Sequence, residues 1–356
     1  MQTPLALFCA VAVLVGCTSA SRDTGTVATR DSTARDSVAR DSGSTEPSGS
    51  TLGSTGDPLE DDSAALCARR GVVIAGVVEN SELGEASGLV ASRTHPGALW
   101  SHNDGGDGDR LFGIGDDGRD LGVHELAGID ATDVEDVAIA KGTTGDDILL
   151  ADIGDNELSR SSIRIYRFRE PDPAAPAPIE WIEILEFVYP DRPHNAETLL
   201  VDDASNRVVI VTKEQRLDDG RPDAFGRTEP SFIFEGALDG HGDAPVELVP
   251  AGTIDTIGLE LLNDQPNLHP AGLLGFGGVP TGGDVSADGS RVALRTYEAL
   301  WLWPRRPAQS VAEALASEPC QVATANERQG EAVGFVDGAL MTLGEGVNQP
   351  LHELGR

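Results

Sequence analysis

The stretch Glu135-Asp-Val-Ala-Ile139 places one acidic side chain before a run of small and apolar residues, and this pattern recurs along the chain. Each copy is followed by a turn and a second β-rich run that ends in polar residues, and most copies have a third apolar run. A supersecondary unit that repeats in this way is typical of the blades of a β-propeller. The remaining copies are Glu85-Ala-Ser-Gly-Leu, Glu197-Thr-Leu-Leu-Val, Asp284-Val-Ser and Glu331-Ala-Val-Gly-Phe.

The spacing of these copies predicts an all-β propeller of five blades. Asp-Gly pairs such as Asp117-Gly118, which are typical of hairpin turns, separate the β-rich runs. After Glu331 too few residues remain for four strands, so we expect residues 72–78 to complete the last blade and to close the ring. The interval of 87 residues between Glu197 and Asp284 leaves a sixth blade as the alternative.

The amino-terminal end has the features of an export signal. Residues 4–16 are almost wholly apolar and about as long as the hydrophobic region of a secretory signal, which is too short to span a bilayer. They end in Leu14-Val15-Gly16-Cys17, which resembles a bacterial lipobox, and an ordinary cleaved signal peptide is the alternative. The resemblance implies a signal peptide over residues 1–17, a lipid on Cys17 and anchoring to the membrane. Because Thr18 and not Asp follows the cysteine, it also implies the outer membrane or the cell surface.

Two further segments follow the predicted signal. Residues 18–64 lack aromatic side chains and are dominated by Ser, Thr, Gly, Asp and Arg, so they predict a disordered tether. Residues 65–356 hold the repeats and form the predicted propeller domain. This domain contains Cys67 and Cys320, which in an exported protein predict one disulfide, with two free buried thiols as the alternative.

The charge balance excludes one class of partner. The 356 residues include 59 acidic and 26 basic side chains, a formal net charge of −33, and most of the excess falls in residues 65–356. Nucleic-acid binding needs a surplus of Lys and Arg to neutralise phosphates, so we expect no nucleic-acid partner. We expect a monomer that meets the membrane through its lipid and binds an envelope protein or a small anionic ligand.

The acidic residues of the repeat predict a ring at one mouth of the central channel. The first strand of each blade lines the channel and the second returns antiparallel, so first-strand starts and second-strand ends converge there. The mutual repulsion of such carboxylates requires a bound cation, basic side chains or raised pKa values. Ca²⁺ prefers oxygen ligands, so calcium is the cofactor we expect. The candidate metal ligands are Glu85, Glu135, Glu197, Asp284 and Glu331.

Other polar residues at second-strand ends surround this predicted ring. Lys213 and Arg295 could clamp a phosphate or carboxylate, and His102 or His194 could act as a general base, which makes these four the candidate catalytic residues. A structural role is the alternative, in which the acids cap strands and accept hydrogen bonds from neighbouring blades. The candidate ligand-binding residues are Asn103, Asp104, Asp152, Asp155, Asn156 and Tyr297.

Several stretches carry a resemblance to known proteins. They include Trp100-Ser-His-Asn-Asp104, Asp152-Ile-Gly-Asp-Asn156, Val211-Thr-Lys213, Arg295-Thr-Tyr297 and Gly330-Glu-Ala-Val. Together with the repeat copies, over about residues 80–350, they resemble an uncharacterised family of secreted bacterial β-propeller lipoproteins. The chain is more distantly similar to esterase-like phytases and TolB-like propellers. The resemblance implies a propeller and export, without a reaction.

Three functions are compatible with these observations. The first is a membrane-anchored envelope lipoprotein whose propeller binds a ligand or metal at its acidic channel mouth. The second is a calcium-dependent hydrolase that cleaves phosphate esters, as phytases do, or lactones. The third is a scaffold for a protein partner. The sequence contains no Gly-x-Ser-x-Gly nucleophile motif, and this favours the binding function.

Overall fold

The computed structural model describes most of the predicted propeller domain. The described residues are 71–354, apart from 106, 108, 215–229, 243 and 264–276, together with 65, 67 and 68. The predicted signal peptide and tether, residues 1–64, lie outside them. Within this part of the chain no helix is long and apolar enough to cross a bilayer.

The described residues are nearly all β-structure, and helix is limited to short segments such as Thr256–Leu262 and Val311–Leu315. The strands in chain order are β1 Val72–Val77, β2 Ala86–Ala91, β3 Ala98–Asn103, β4 Arg110–Gly115, β5 Asp120–Glu125, β6 Val134–Lys141, β7 Asp146–Asp152, β8 Ile163–Arg169, β9 Glu183–Val188, β10 Ala196–Asp202, β11 Arg207–Thr212, β12 Ser231–Ala237, β13 Val246–Glu247, β14 Val249–Ile254, β15 Pro280–Val285, β16 Arg291–Thr296, β17 Leu300–Pro304, β18 Cys320–Val322, β19 Gly330–Val336, β20 Ala339–Gly344 and β21 Pro350–Leu354.

These strands form five sheets, which are the blades of a β-propeller. From the channel outward the strand orders are β2-β3-β4-β5, β6-β7-β8-β9-β13, β10-β11-β12-β14, β15-β16-β17-β18 and β19-β20-β21-β1. Neighbouring strands are antiparallel, except that the short β13 pairs in parallel with β9. The innermost strands contact one another in the cyclic order β2, β6, β10, β15, β19 and back to β2.

The amino-terminal strand closes this ring, as the sequence predicts. β1 pairs antiparallel with β21, with Val72 opposite Leu354 and Val77 opposite Pro350. Five blades are therefore observed rather than six. Part of the long interval between Glu197 and Asp284 consists of β14 and the helix Thr256–Leu262.

Apolar side chains fill the spaces between neighbouring blades. One buried cluster, for example, joins Trp100 and Leu111 of the first blade to Ile148 and Phe168 of the second. The faces of each sheet are covered by the next blade, so the inner strands are buried along most of their length. This packing holds the polar ends of the inner strands in fixed positions around the channel.

The predicted disulfide is confirmed. Cys67 and Cys320 are bonded, with their Cα atoms 6.0 Å apart and a sequence separation of 253 positions. Cys320 opens β18, the outermost strand of the fourth blade, whereas the strand that follows Cys67 belongs to the fifth blade. The disulfide therefore links the segment that precedes the closing strand β1 to the fourth blade.

Candidate functional site

A β-bulge near the start of three inner strands positions an acidic side chain. The pairing register shifts between Val134 and Asp136, which leaves Glu135 as the extra residue. The same shift in β10 and β19 leaves Glu197 and Glu331 as the extra residues. Bulges reorient side chains and often occur beside functional sites. Three blades thus present their repeat acid in the same way at one mouth of the channel.

Asp284 does not occupy the corresponding position, in contrast to the prediction that it belongs to the acidic ring. In β15 the register shift lies between Pro280 and Gly282, so Thr281 is the extra residue and Asp284 lies three residues farther along. The Asp284 carboxyl accepts hydrogen bonds from the backbone N–H groups of Val285 (2.8 Å) and Phe335 (2.7 Å). It therefore joins the fourth blade to the fifth, away from the other repeat acids.

Glu85, the acid predicted for the first blade, precedes β2 and is exposed. Its backbone N–H donates to Oδ1 of Asn103 at 2.9 Å. The charge of Glu85 contributes to the raised pKa of Glu345. Glu85 therefore lies at the rim of the same mouth.

Several carboxylates and one ammonium group meet at this mouth in the described part of the chain. Five of the carboxyls, those of Asp133, Glu135, Glu197, Glu331 and Glu345, have raised pKa values. Burial is the largest cause in each case, and the charge of a sixth residue, Asp104, adds to it. We call the following residues the acidic cluster: Asp104, Asp133, Glu135, Glu197, Lys213, Glu331 and Glu345.

One part of the acidic cluster has the spacing of a metal site. Carboxylate oxygens of Asp104, Asp133 and Glu135, one from each residue, all lie within 4.8 Å of one another. Two glycines allow this approach: a Cβ on Gly154 would collide with the carboxylates of Asp133 and Glu135, and a Cβ on Gly105 would collide with that of Asp133. Larger residues at these two positions would push the carboxylates apart.

The pKa values reflect crowding of negative charge away from water. Burial and the charge of Asp104 raise the pKa of Asp133 to about 6. Burial also raises the pKa of Glu197 to about 7, despite the opposing effect of Lys213. The pKa of Glu135 lies well above its usual value because of burial and the charge of Glu197. A bound cation would favour the ionised forms of all these carboxyls.

Lys213 is the one ammonium group of the acidic cluster. Its Nζ donates to the Glu197 carboxylate and to the Tyr297 hydroxyl at 2.7 Å, and it lies 4.9 Å from the centroid of the Tyr297 ring. Burial opposes its charge, but the neighbouring acids outweigh this and raise the pKa of Lys213 well above its usual value. One charged lysine compensates only part of the negative charge of the cluster.

Glu331 has a carboxylate oxygen without a hydrogen-bond partner. The residue is 5 % exposed, and its Oε2 atom is shielded from solvent with no hydrogen-bond partner among the described residues. A buried polar atom in this situation costs about 1–3 kcal/mol, and more when it is charged. This oxygen is therefore suited to a cationic ligand.

The two predicted general bases are both engaged through their ring nitrogens. Nε2 of His102 accepts from the Gly88 N–H at 3.2 Å, so its Nδ1 donates to the Asn103 carbonyl at 2.8 Å. Nδ1 of His194 contacts Glu214 and its Nε2 contacts Asp191 at 3.1 Å. Both histidines are almost wholly buried. Neither has a ring nitrogen left for proton transfer to a ligand in this arrangement.

Arg295 lies outside the acidic cluster and binds a carboxylate that the sequence analysis did not identify. Its guanidinium pairs with Glu327, which also accepts hydrogen bonds from the Thr342 hydroxyl (2.8 Å) and from Nδ1 of His352 (2.8 Å). Burial opposes ionisation of Glu327, but the Arg295 charge and these hydrogen bonds outweigh it and lower its pKa. Arg295 therefore has a structural partner inside the fold.

The remaining predicted ligand-binding residues shape the loops around the mouth. Asn103 accepts from the N–H groups of Gly84 and Glu85, both at 2.9 Å. Oδ1 of Asp152 accepts from the Asp133 N–H at 3.0 Å and from Arg160 at 2.7 Å. The first of these bonds fixes the backbone of a cluster residue.

Asp155 and Asn156 form the turn that follows β7. The Asp155 carboxylate accepts from the N–H groups of Ser159 and Arg160, each at 2.9 Å. The exposed Asn156 accepts from the Asn195 side chain at 3.2 Å. These two residues support the site and do not belong to the acidic cluster.

Two residues of the acidic cluster, Glu345 and Asp133, are not among the predicted site residues, and Asp133 is the one that a sequence pattern could have identified. It lies two residues before Glu135, and alternate residues of an extended segment share one face, so the pair Asp133 and Glu135 carried a usable signal. No such signal was available for the partnership of Arg295 with Glu327, because a sequence shows no blade register.

No family model and no curated protein matches this chain. Among solved structures it is similar to a gluconolactonase, XC5397 from Xanthomonas campestris, with 11 % identity, a TM-score of 0.42 and coverage of 82 % of this chain and 92 % of the other. The PQQ-bound aldose sugar dehydrogenase from Streptomyces coelicolor has 13 % identity, a TM-score of 0.41 and coverage of 80 % and 98 %. The Cps50 (Swd1) β-propeller domain from Myceliophteria thermophila has 12 % identity, a TM-score of 0.38 and coverage of 80 % and 100 %. These similarities concern the fold alone.

Proposed function

We propose that this protein is an exported, lipid-anchored propeller that binds Ca²⁺ at the acidic cluster and presents the ion to an anionic ligand. The observation that carries the proposal is the close approach of the Asp104, Asp133 and Glu135 oxygens, within 4.8 Å of one another. Calcium–oxygen distances of about 2.4 Å place oxygens on opposite sides of one ion about 4.8 Å apart. The spacing therefore suits a single Ca²⁺.

The unpaired oxygen of Glu331 supports the proposal independently. This Oε2 atom has no hydrogen-bond partner among the described residues, so it could become a ligand of a bound cation. Asp104 and Glu345 are only partly buried, so an ion held here is reachable from the channel mouth. The remaining coordination positions of the ion would be open to water or to carboxylate or phosphate oxygens of a ligand.

A purely structural role fits acidic residues outside the acidic cluster better than it fits the cluster itself. The Asp136 carboxylate accepts from the N–H groups of Val137 and Leu199, each at 2.8 Å, and thereby joins the second blade to the third. Asp284 does the same between the fourth and fifth blades. In the acidic cluster the carboxylate oxygens of Asp104, Asp133 and Glu135 face one another, which is the arrangement expected of ion ligands.

The contacts of the predicted catalytic residues favour ligand binding over hydrolysis. A hydrolase would need a general base beside the ion, and the ring nitrogens of His102 and His194 are already bonded. Arg295, which was predicted to clamp an anion, is paired with Glu327. The proposal is therefore a binding protein.

Titration of the purified full-length protein with Ca²⁺ by isothermal calorimetry tests this proposal. We expect one ion per chain, and Glu135→Gln should weaken binding by about tenfold or more because it removes one ligand charge. Glu247→Gln is the matched control, since Glu247 is exposed on β13, and it should bind like the unmodified protein. Absence of binding at millimolar Ca²⁺, or equal affinity of the two variants, would refute the proposal.

A further inference from the structure

A second cavity lies at the opposite mouth of the channel. The inner strands run away from the acidic cluster, and the residues at their far ends surround a cavity of about 470 Å³. From Glu331 to Val336 the strand β19 extends by about 16 Å, so this cavity is separate from the acidic cluster. Its volume is in the range of small-molecule binding sites.

Arg291 gives this cavity a positive group. Its Cζ atom lies 5.7 Å from the centroid of the Phe335 ring, and both side chains line the cavity. No ion pair or hydrogen bond of its guanidinium to an acidic side chain is found among the described residues. By contrast, Arg93, which also lines the cavity, pairs with Asp203 at 2.8 Å.

Most arginines among the described residues form an ion pair with an acidic side chain, whereas Arg291 interacts with Asp288 through its charge alone. Stacking on an aromatic ring holds a guanidinium in a fixed orientation and leaves its N–H groups free to donate. Such a group is well suited to bind a carboxylate through two parallel hydrogen bonds.

The acidic residues that line the same cavity have partners or lie at its edge. The Asp284 carboxyl accepts from two backbone N–H groups, and burial raises its pKa to about 7. Asp288 accepts from the hydroxyls of Ser286 and Ser290, each at 2.7 Å. Asp337 is exposed in the turn between β19 and β20. None of the three forms an ion pair or a hydrogen bond with Arg291 among the described residues, although the charge of Arg291 contributes to the lowered pKa of Asp288.

Another part of the cavity wall is apolar. Val90, Ile139 and Val285 come from the first, second and fourth blades, and Val336 ends the inner strand of the fifth. Burial of apolar ligand surface against these side chains is favourable by about 25 cal/mol per Å².

We propose that this cavity binds a small organic carboxylate, whose charged end pairs with Arg291 and whose apolar body lies against Val90, Ile139 and Val336. The site is distinct from the acidic cluster and needs no metal ion. The two mouths of the channel thus have different chemistry: one receives a cation, and the other receives an anion with an apolar body.

Calorimetric titration of the full-length protein with hexanoate and with the uncharged hexanamide tests this proposal. We expect hexanoate to bind at least about tenfold more tightly than hexanamide, since the amide lacks the charge that Arg291 recognises. Equal binding of the two probes, or no binding of hexanoate, would overturn the proposal. This comparison uses the unmodified protein and so does not depend on the folding of any variant.

Variants at Arg291 locate the binding. Arg291→Gln should reduce hexanoate affinity by about tenfold or more, and Arg291→Lys should lose less because it keeps the charge. Arg207→Gln is the matched control: this arginine does not line the cavity and lies 3.7 Å from Glu235. Hexanoate binding that survives Arg291→Gln unchanged would place the ligand elsewhere and refute the assignment.

Discussion

Replacing Glu327 by alanine is expected to lower the free energy of unfolding by about 4 kcal/mol. Glu327 and Arg295 are both nearly inaccessible to solvent, and the Glu327 carboxylate also receives hydrogen bonds from Thr342 and His352. Removal of the carboxylate leaves the Arg295 charge buried without its acidic partner, which costs more than the pair itself contributes. Urea denaturation followed by circular dichroism measures the loss.

Two further variants make this prediction specific. Glu318→Ala removes an exposed acid and should change stability by less than about 0.5 kcal/mol. The double variant Arg295→Met with Glu327→Leu removes both charges and should recover most of the loss. A Glu327→Ala protein as stable as the Glu318→Ala control would show that Arg295 is not held by Glu327.

The acidic cluster should make the calcium-free protein less stable as the pH rises from 5 to 8. In the folded state the pKa of Asp133 is about 6 and that of Glu197 about 7, against usual values of 3.8 and 4.5. The folded protein therefore holds protons that the unfolded chain has released, so this stability is present below the usual values and is lost as the pH passes the raised ones. One pKa unit corresponds to about 1.4 kcal/mol, so we expect a loss of several kcal/mol.

Two comparisons isolate this effect. His102 acts in the opposite direction, since burial lowers its pKa, and therefore the pH dependence of Glu197→Gln must be measured beside that of the unmodified protein. The Gln variant should lose less stability between pH 5 and 8. Added Ca²⁺ should restore stability at pH 8, because it binds the ionised carboxylates. Identical pH profiles for the two proteins would contradict the charge crowding that we describe.

The blade repeat could be predicted from sequence because it depends on local patterns. An acid followed by small and apolar residues marked the inner strands, Asp-Gly pairs marked the turns, and the missing last strand pointed to β1 as the closing element. Glu135, Glu197 and Glu331 each directly follow the first residue of an inner strand, which is the start of the strand at which the repeat puts them.

The predictions that differ from the structure concern residues whose positions depend on strand register and on long-range contacts. Asp284 was placed in the ring because it is followed by small and apolar residues like the other repeat acids, yet the bulge of β15 falls at Thr281. A one-residue change of register moves a side chain to the other face of a strand, and residue type alone does not reveal it. The bonds of His194 to Asp191 and Glu214 likewise depend on how separate segments meet in the fold.

Diffraction from crystals of the protein grown with Ca²⁺ locates a bound ion and so tests calcium binding at the acidic cluster. We expect one ion bonded to oxygens of Asp104, Asp133 and Glu135 at about 2.3–2.6 Å. Replacement of Ca²⁺ by a chelator during crystal growth should remove this density and leave the propeller intact. An acidic cluster that holds only water in the presence of Ca²⁺, or an ion bound elsewhere on the propeller, would contradict the account.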